Sequence, residues 1–250
     1  MKQILKSILC FLILGSQIIG FASDQDKKGL VTYADGQVKR MPVEAENWKD
    51  APVNTDVLAG DRVRTYRKSR AEIDLAQLDI VRLAPRTIID IIKLYEETKD
   101  KKVSTKIKLE QGELWASVHE VETDTEFDIS APIAAAAITG TTLRMLVLDD
   151  STTQLKVYKG EVNITNAPDK REKLKPRSIV PYQIKGPTQV PGPVEVSMEE
   201  WAYIVKSMQQ ITINQQGKVV STGAFSSKDK DEKSSWVKWN QKRDLNWTIK

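Results

Sequence analysis

The stretch Val103-Ser-Thr-Lys-Ile-Lys-Leu-Glu110 decides the fold of this chain. Its odd-numbered residues are aliphatic or β-branched and its even-numbered residues are polar, a period of two that is typical of a half-buried β-strand. The same alternation recurs in three further stretches: Ala71–Leu75, Glu126–Ala131 and Gln154–Val157. The pattern predicts β-structure from about Gly29 to Ile164, and therefore an all-β fold.

A glycine and a polar residue stand repeatedly ahead of an aliphatic residue. The four instances are Gly36-Gln-Val38, Gly60-Asp-Arg-Val63, Gly112-Glu-Leu114 and Gly160-Glu-Val162. Glycine reaches positive φ at little cost, so each instance predicts a tight turn before a strand. The repetition favours a β-roll, a sandwich or a solenoid-like stack, although its spacing is too uneven for a strict solenoid. Charged hairpins are expected at 98–102 and 149–151.

Composition limits the chemistry available to the 250 residues. The sequence has a single histidine, His119, and a single cysteine, Cys10. Most metal sites and most Ser-His or Cys-His nucleophile systems need more of these side chains. We therefore predict no catalytic residues, no metal ligands and no cofactor, and we expect a protein that is not an enzyme.

Residues 1–22 have the pattern of a secretory signal peptide. Lys2 and Lys6 precede the short apolar run Ile8–Leu14, and small residues at the end of the segment predict cleavage after Ala22. The expected location is the periplasm or another exported compartment, with no integral membrane span after cleavage. A retained N-terminal anchor is the alternative.

The charge of the exported chain is close to neutral. Without Lys2 and Lys6, 36 basic residues stand against 34 acidic ones, which leaves a net charge of +2. So small an excess does not favour nucleic acid as a partner.

The last third of the chain changes character. Residues 166–196 contain a basic loop and five prolines between positions 176 and 193, and they predict an extended strap. Ser197 and Glu200 then form a capping box, and the apolar residues that follow at helical spacing predict a helix, the start of a helical, tryptophan-containing extension over 197–250. The apolar residues of that stripe are Trp201, Ile204, Val205 and Met208.

The rest of this extension is more polar. Ile211 and Ile213 predict a brief strand, and the charged stretch Ser226–Ser235 is expected to be solvated and mobile. A final helix is expected to begin at Ser234 or Ser235.

Partner-binding candidates come from the tryptophans of the C-terminal extension and from the basic loop. They are Trp236, Trp239, Trp247, Lys170, Arg171 and Lys173. Aromatic side chains either cover a core or form a face for a protein or a glycan. For Trp236 and Trp239 we favour packing on the β domain, and for the basic loop a solvated connector.

Seven segments, taken in order, resemble the FecR-type domain, a family named after a periplasmic regulator of ferric-citrate uptake. In the first half they are Gly60-Asp-Arg-Val-Arg-Thr65, Ser69-Arg-Ala-Glu-Ile-Asp-Leu75 and Val81-Arg-Leu-Ala-Pro-Arg-Thr87. In the second half they are Gly112-Glu-Leu-Trp115, Ser130-Ala-Pro132, Thr139-Gly-Thr141 and Val157-Tyr-Lys-Gly-Glu-Val162. The resemblance covers roughly residues 29–165 and implies a FecR-like β domain within 23–165.

Signalling members of this family place a cytoplasmic anti-sigma segment and a membrane span before the domain. Here only a few residues precede the hydrophobic stretch, so the resemblance implies a stand-alone exported member. The leading hypothesis is a non-catalytic binding or scaffold module of the bacterial envelope that engages an envelope protein or glycan. The alternatives are a regulatory component of a trans-envelope signalling system and a carbohydrate-binding or carboxylate-based carbohydrate-active protein.

Overall fold

A computed structural model describes residues 28–75, 79–97, 103–119, 125–167, 173–179 and 200–247. The predicted signal peptide and most of the predicted strap, including Lys170 and Arg171, lie outside these residues. The strands in chain order are β1 (Gly29–Asp35), β2 (Val38–Met41), β3 (Lys49–Asp50), β4 (Asp56–Val57), β5 (Arg62–Thr65), β6 (Arg70–Leu75), β7 (Asp79–Leu83), β8 (Ile88–Glu97), β9 (Val103–Ser117), β10 (Thr125–Ser130), β11 (Ala135–Val147), β12 (Thr153–Thr165), β13 (Arg177–Ser178), β14 (Ala202–Lys206), β15 (Gln209–Ile213) and β16 (Val219–Ala224). A 3-10 turn at Asp231–Lys233 and helix α1 (Ser235–Trp247) follow.

These strands form one mixed sheet. Along its main path the order is β13-β14-β12-β11-β10-β9-β7-β6-β1-β4, while β8, β5, β2 and β3 continue from the other edge of β9. Two of the pairings are parallel, β9 with β10 and β13 with β14. The expectation of an all-β fold with a short C-terminal helix is confirmed.

Strand β9 organises the sheet, because each of its halves has different neighbours. The first half pairs with β8 and β10, and the second half pairs with β7 and β11. The change falls near Gly112, whose φ is 91°. Gly112 and Gly160 therefore have the predicted positive φ but lie at bends within long strands rather than in turns between strands.

One face of the sheet encloses the hydrophobic core. Most aliphatic members of the alternating stretches lie there with less than 2% of their surface exposed, among them Ile73, Ile107, Leu109, Ile129 and Leu155. Burial of these side chains is the main stabilising contribution. The period of two that predicted the strands is thus the pattern that fills this core.

The helix predicted to begin at Ser197 is wrong over the described residues. Ala202–Lys206 is strand β14, which pairs antiparallel with residues Glu161–Thr165 of β12. A short apolar run fits a helical stripe and a strand equally well, and here the open edge of β12 supplies hydrogen bonds that an isolated helix would not receive. Trp201 is buried as expected, with its indole N–H donating to Gly217 O at 2.7 Å.

The other C-terminal predictions have mixed outcomes. The strand at Ile211 and Ile213 is confirmed as β15, and the final helix is confirmed, with Ser234 Oγ accepting from Val237 N–H. The stretch 226–235 is not simply solvated, since its Glu232 is only 4% exposed and contacts the sheet.

A glycine pair tests the bend in β9. A methyl group added at Gly112 would lie 2.5 Å from Thr87 Oγ1 and 2.6 Å from Thr87 Cα, at a φ that side chains rarely adopt. We expect Gly112→Ala to lower the free energy of unfolding by about 3 kcal/mol, measured by urea denaturation. Gly223→Ala is the control, because no atom lies within 4 Å of its added methyl group, and it should be neutral or stabilise by about 0.5 kcal/mol. Equal losses in the two variants would contradict this account.

Candidate functional site

A line of polar and aromatic side chains crosses the outer face of the sheet, opposite the core. Glu72 pairs with Arg82, Arg82 with Trp115, Trp115 with Arg144, and Arg144 with Lys156, on five successive strands. We call these five residues the charged row. Although they occupy the polar positions of the alternation, each is no more than 5% exposed.

Helix α1 and the 3-10 turn bury this row. Buried charges must be paired or their desolvation is prohibitive, and the C-terminal segment supplies the partners. Arg243 donates to both oxygens of Glu72, at 2.7 and 2.6 Å, and Asp244 accepts from Arg82. Helix α1 thus adds a second partner to each member of the Glu72–Arg82 pair.

The 3-10 turn performs the same role at the other end of the row. Glu232 accepts from Lys156 Nζ at 2.9 Å and from Tyr158 Oη at 2.8 Å. Asp231 accepts from Lys156 and, at 2.8 Å, from Arg144. These two carboxylates therefore hold the stretch 226–235, which the sequence had suggested to be solvated, against the sheet.

The pKa values of the network reflect burial and these partners. Burial alone would raise the pKa of Glu72, but hydrogen bonds from Arg243 and Arg82 outweigh it and lower the pKa to about 2. For Asp244 burial prevails over Arg82 and Trp115, and its pKa lies above the usual value. Burial also raises the pKa of Glu113, which lies beside Arg144.

The tryptophan candidates Trp236 and Trp239 pack in a cluster with Trp115 of the sheet, so packing on the β domain is confirmed. Trp236 is 7% exposed and stacks on Trp239 with ring centroids 5.4 Å apart. The Trp239 ring also lies 5.3 Å from that of Tyr33 and 5.1 Å from the Arg243 guanidinium. Both rings are thus occupied by contacts within the chain.

The remaining candidates lie elsewhere in the chain or outside the described residues. Trp247 is the last residue of α1 and Lys173 is exposed, whereas Lys170 and Arg171 lie outside the described residues. The motif-like residues of the resemblance act in turns and strands. Asp61, for example, pairs with Arg40 and accepts from Leu58 N–H at 2.7 Å.

A cleft of about 690 Å³ opens where the C-terminal half of α1 meets the sheet. Its lining includes Trp115, His119, Tyr158, Asp244 and Leu245. Asp244 contributes a half-buried carboxyl group, and both oxygens of that group are engaged, one by Arg82 and the other by the Trp115 indole N–H at 3.0 Å. The cleft is therefore built around a structural ion pair. Within the described part of the chain, no group of three or more potential ligands could hold a metal ion.

Strand β16 is the feature that sequence reasoning missed. Within the described residues it pairs only with β15, and most of its residues are exposed, Val220 by 56%. The other terminal strands β3, β4 and β13 are two residues long, as expected for protected sheet edges. The signal was present in the sequence, because Val219-Val-Ser-Thr-Gly-Ala224 contains neither a charge nor a proline.

The protein is thus an all-β domain whose C-terminal helix covers the charged row on the outer face of the sheet. Residues 61–163 match the model of the FecR protein family, so the chain contains a FecR-type domain, as the resemblance implied. This family is associated with the envelope and is regulatory rather than catalytic in general.

Two crystal structures of a candidate anti-sigma factor from Parabacteroides distasonis ATCC 8503 also resemble the chain. They align with TM-scores of 0.44 and 0.43 and with 12% and 13% sequence identity. Each alignment covers 65% of this chain and 59% of that protein, so the chain spans about 59% of its length. No curated protein matches the sequence. Among the described residues, no helix is long and apolar enough to cross a membrane.

Glu72 provides a test of the buried network. Glu72→Gln leaves Arg82 and Arg243 without their shared carboxylate, so we expect the free energy of unfolding to fall by about 3 kcal/mol at pH 7. The pKa of Glu72 is lower in the folded state than its ordinary value of 4.5, so this contribution is complete above pH 4.5 and disappears as pH falls toward 2. Urea denaturation between pH 7 and pH 3 should show the difference from the unsubstituted protein shrinking below pH 4.5.

The control for this measurement is Glu46→Gln, which removes an exposed carboxylate. It should leave the free energy of unfolding within about 0.5 kcal/mol of the unsubstituted protein at both pH values. A pH-independent loss in Glu72→Gln would show that shape rather than charge explains the effect.

Proposed function

We propose that this protein is an exported, non-catalytic binding module of the bacterial envelope, which engages a protein partner by strand addition at β16. Export rests on the signal-peptide pattern of residues 1–22, and the envelope role is supported by the FecR-type domain. The single observation that carries the binding mode is the exposed, uncharged edge of β16.

The hydrogen-bond register indicates which backbone groups of β16 are available. Phe225 N–H donates to Met208 O at 3.0 Å, and this bond fixes the alternation of the ladder next to the registered pair Ala224–Gln209. In an antiparallel ladder hydrogen-bonded and non-hydrogen-bonded pairs alternate. Ser221 and Gly223 therefore bond to β15, and the N–H and C=O groups of Thr222 and Ala224 point away from it.

An extended peptide is the partner that suits this edge. A row of outward N–H and C=O groups is satisfied by another strand, which is the basis of recognition by strand addition. Natural edges are blocked by lysine, proline, a bulge or short length, and β16 has only a register shift next to Val219. A glycan receives less support, because Trp236 and Trp239 are occupied within the fold.

A regulatory component of a trans-envelope signalling system is the second candidate, favoured by the FecR-type domain. The two candidates differ in the fate of residues 1–22. N-terminal sequencing of the protein isolated from cells discriminates between them, since a start at Ser23 would remove the anchor that the second candidate requires.

Amide exchange tests whether the edge is open in the free protein. We expect the amides of Ser221 and Gly223 to be protected by β15 and those of Thr222 and Ala224 to exchange at least about tenfold faster in deuterated buffer, measured by NMR. Equal protection at all four positions would mean that the edge is already covered, which would overturn the binding mode.

A proline substitution tests recognition by this edge. Thr222→Pro removes the outward N–H without removing a bond to β15, and edge strands tolerate proline at such a position. We expect a partner captured from envelope extracts and eluted from the unsubstituted protein to lose about tenfold in affinity for Thr222→Pro, since one backbone hydrogen bond and the adjacent ladder are lost.

The matched control is Thr222→Val, which retains the backbone N–H and should retain binding. Circular dichroism and the melting temperature would show whether Thr222→Pro folds, and Thr222→Lys would replace it if it does not. Equal binding by the proline, lysine and valine variants would refute strand addition at β16, as would the failure to capture any envelope protein reproducibly.

A further inference from the structure

Two turns and the end of one strand bring three arginines around a pocket on another part of the FecR-type domain. Arg64 lies on β5, Arg67 in the turn that follows, and Arg86 in the turn before β8. The pocket has a volume of about 280 Å³ and is also lined by Tyr66. We call these four residues the arginine pocket. It is separate from β16 and from the charged row, so it does not depend on the function proposed above.

The guanidinium groups of this pocket differ from most others in the described residues because no carboxylate lies within 4 Å of them. Five other arginines pair with acids: Arg40 with Asp61, Arg62 with Asp90, Arg82 with Glu72, Arg144 with Glu113 and Arg243 with Glu72. Arg64, Arg67 and Arg86 thus concentrate three positive charges in one place on a chain that is otherwise nearly neutral. Such a concentration attracts an anion.

Aromatic rings hold Arg64 in position without neutralising it. Its guanidinium lies 4.5 Å from the ring centroid of Tyr66 and 5.9 Å from that of Trp48. Cation–π contacts of this kind orient the planar fork and leave its N–H groups able to donate to a ligand. The side chain is therefore preorganised, which lowers the entropy cost of binding.

Arg86 occupies a backbone conformation that does not favour arginine. Its φ is 59°, in the left-handed region where glycine or asparagine is preferred. Its N–H donates to Tyr66 O at 3.2 Å, which joins the two turns that form the pocket. A strained residue held in place by its surroundings is a feature of functional sites. Arg86 is the third arginine that lines the pocket.

We propose that the arginine pocket binds a phosphate group. Arginine forks match phosphate oxygens in a bidentate manner, and three forks supply more charge and more donors than one planar carboxylate can use. A pocket of about 280 Å³ accommodates a phosphate or a phosphate-bearing head group rather than an extended chain. The phosphate belongs either to a free phosphate or phosphomonoester or to the head group of an anionic phospholipid.

Arg86→Gly is the decisive variant because it separates stability from binding. Glycine relieves the left-handed conformation, so the melting temperature should be unchanged or higher, while one guanidinium is lost. In phosphate-free buffer, titration with inorganic phosphate followed by NMR should shift the amide signals of Tyr66, Arg67 and Thr87 and saturate. We expect Arg86→Gly to weaken this binding about tenfold, and Arg67→Gln to do the same.

The matched control is Lys68→Gln, which removes the same charge from the turn that contains Arg67 but from a residue that does not line the pocket. It should change phosphate affinity less than about twofold. Equal weakening by Lys68→Gln and Arg86→Gly would show diffuse attraction only and would overturn the proposal.

Vesicles distinguish the two sources of phosphate. Co-sedimentation with phosphatidylglycerol vesicles, but not with phosphatidylcholine vesicles, that is lost in Arg86→Gly would assign the site to a lipid head group. Saturable binding of inorganic phosphate without vesicle binding would assign it to a free phosphate. Absence of both would refute the site.

Discussion

The ion pairs between Glu72, Arg82 and Arg243 are the interaction on which the rest of the structure depends. Arg82 is fully buried on the outer face of the sheet, at a cost that only well-placed carboxylates offset. Glu72 from the neighbouring strand is one, and Asp244 of α1 is the other. Because Arg243 also binds Glu72, the helix cannot leave without breaking its ion pairs to both Glu72 and Arg82. The sheet and the helix therefore form one unit.

This constraint also explains where binding surfaces can lie. The core occupies one face of the central strands, and α1 with the 3-10 turn covers the other face at the charged row, so little of β7, β9 and β11 is accessible there. What remains is the periphery of the sheet: the open edge of β16 and the turns around Arg64 and Arg86. Both peripheral sites consist of groups that the chain does not satisfy within its described residues.

Sequence patterns predicted those parts of the fold in which local and tertiary demands agree. The alternation at Val103–Glu110 predicted β9 correctly, because one face of that strand is filled by the core. The spacing of Trp201, Val205 and Met208 predicted a helix wrongly, because the choice was made by the unpaired edge of β12. Likewise Glu232 has the sequence context of a solvated loop, and only its contact with Lys156 and Tyr158 makes it a buried residue.

The sequence by itself determined that the chain is all-β and contains a FecR-type domain, and that it has one histidine and one cysteine. Alternation, motif order and composition can be identified without knowing which distant segments contact each other. It also predicted helix α1, because the capping residue Ser234 is adjacent to that helix in sequence. Only the tertiary structure decided that Trp236 and Trp239 pack inward, that β16 forms an open edge, and that Arg64 and Arg86 share a pocket. Those outcomes depend on strand register between distant segments, and register is settled by the packing of the whole sheet.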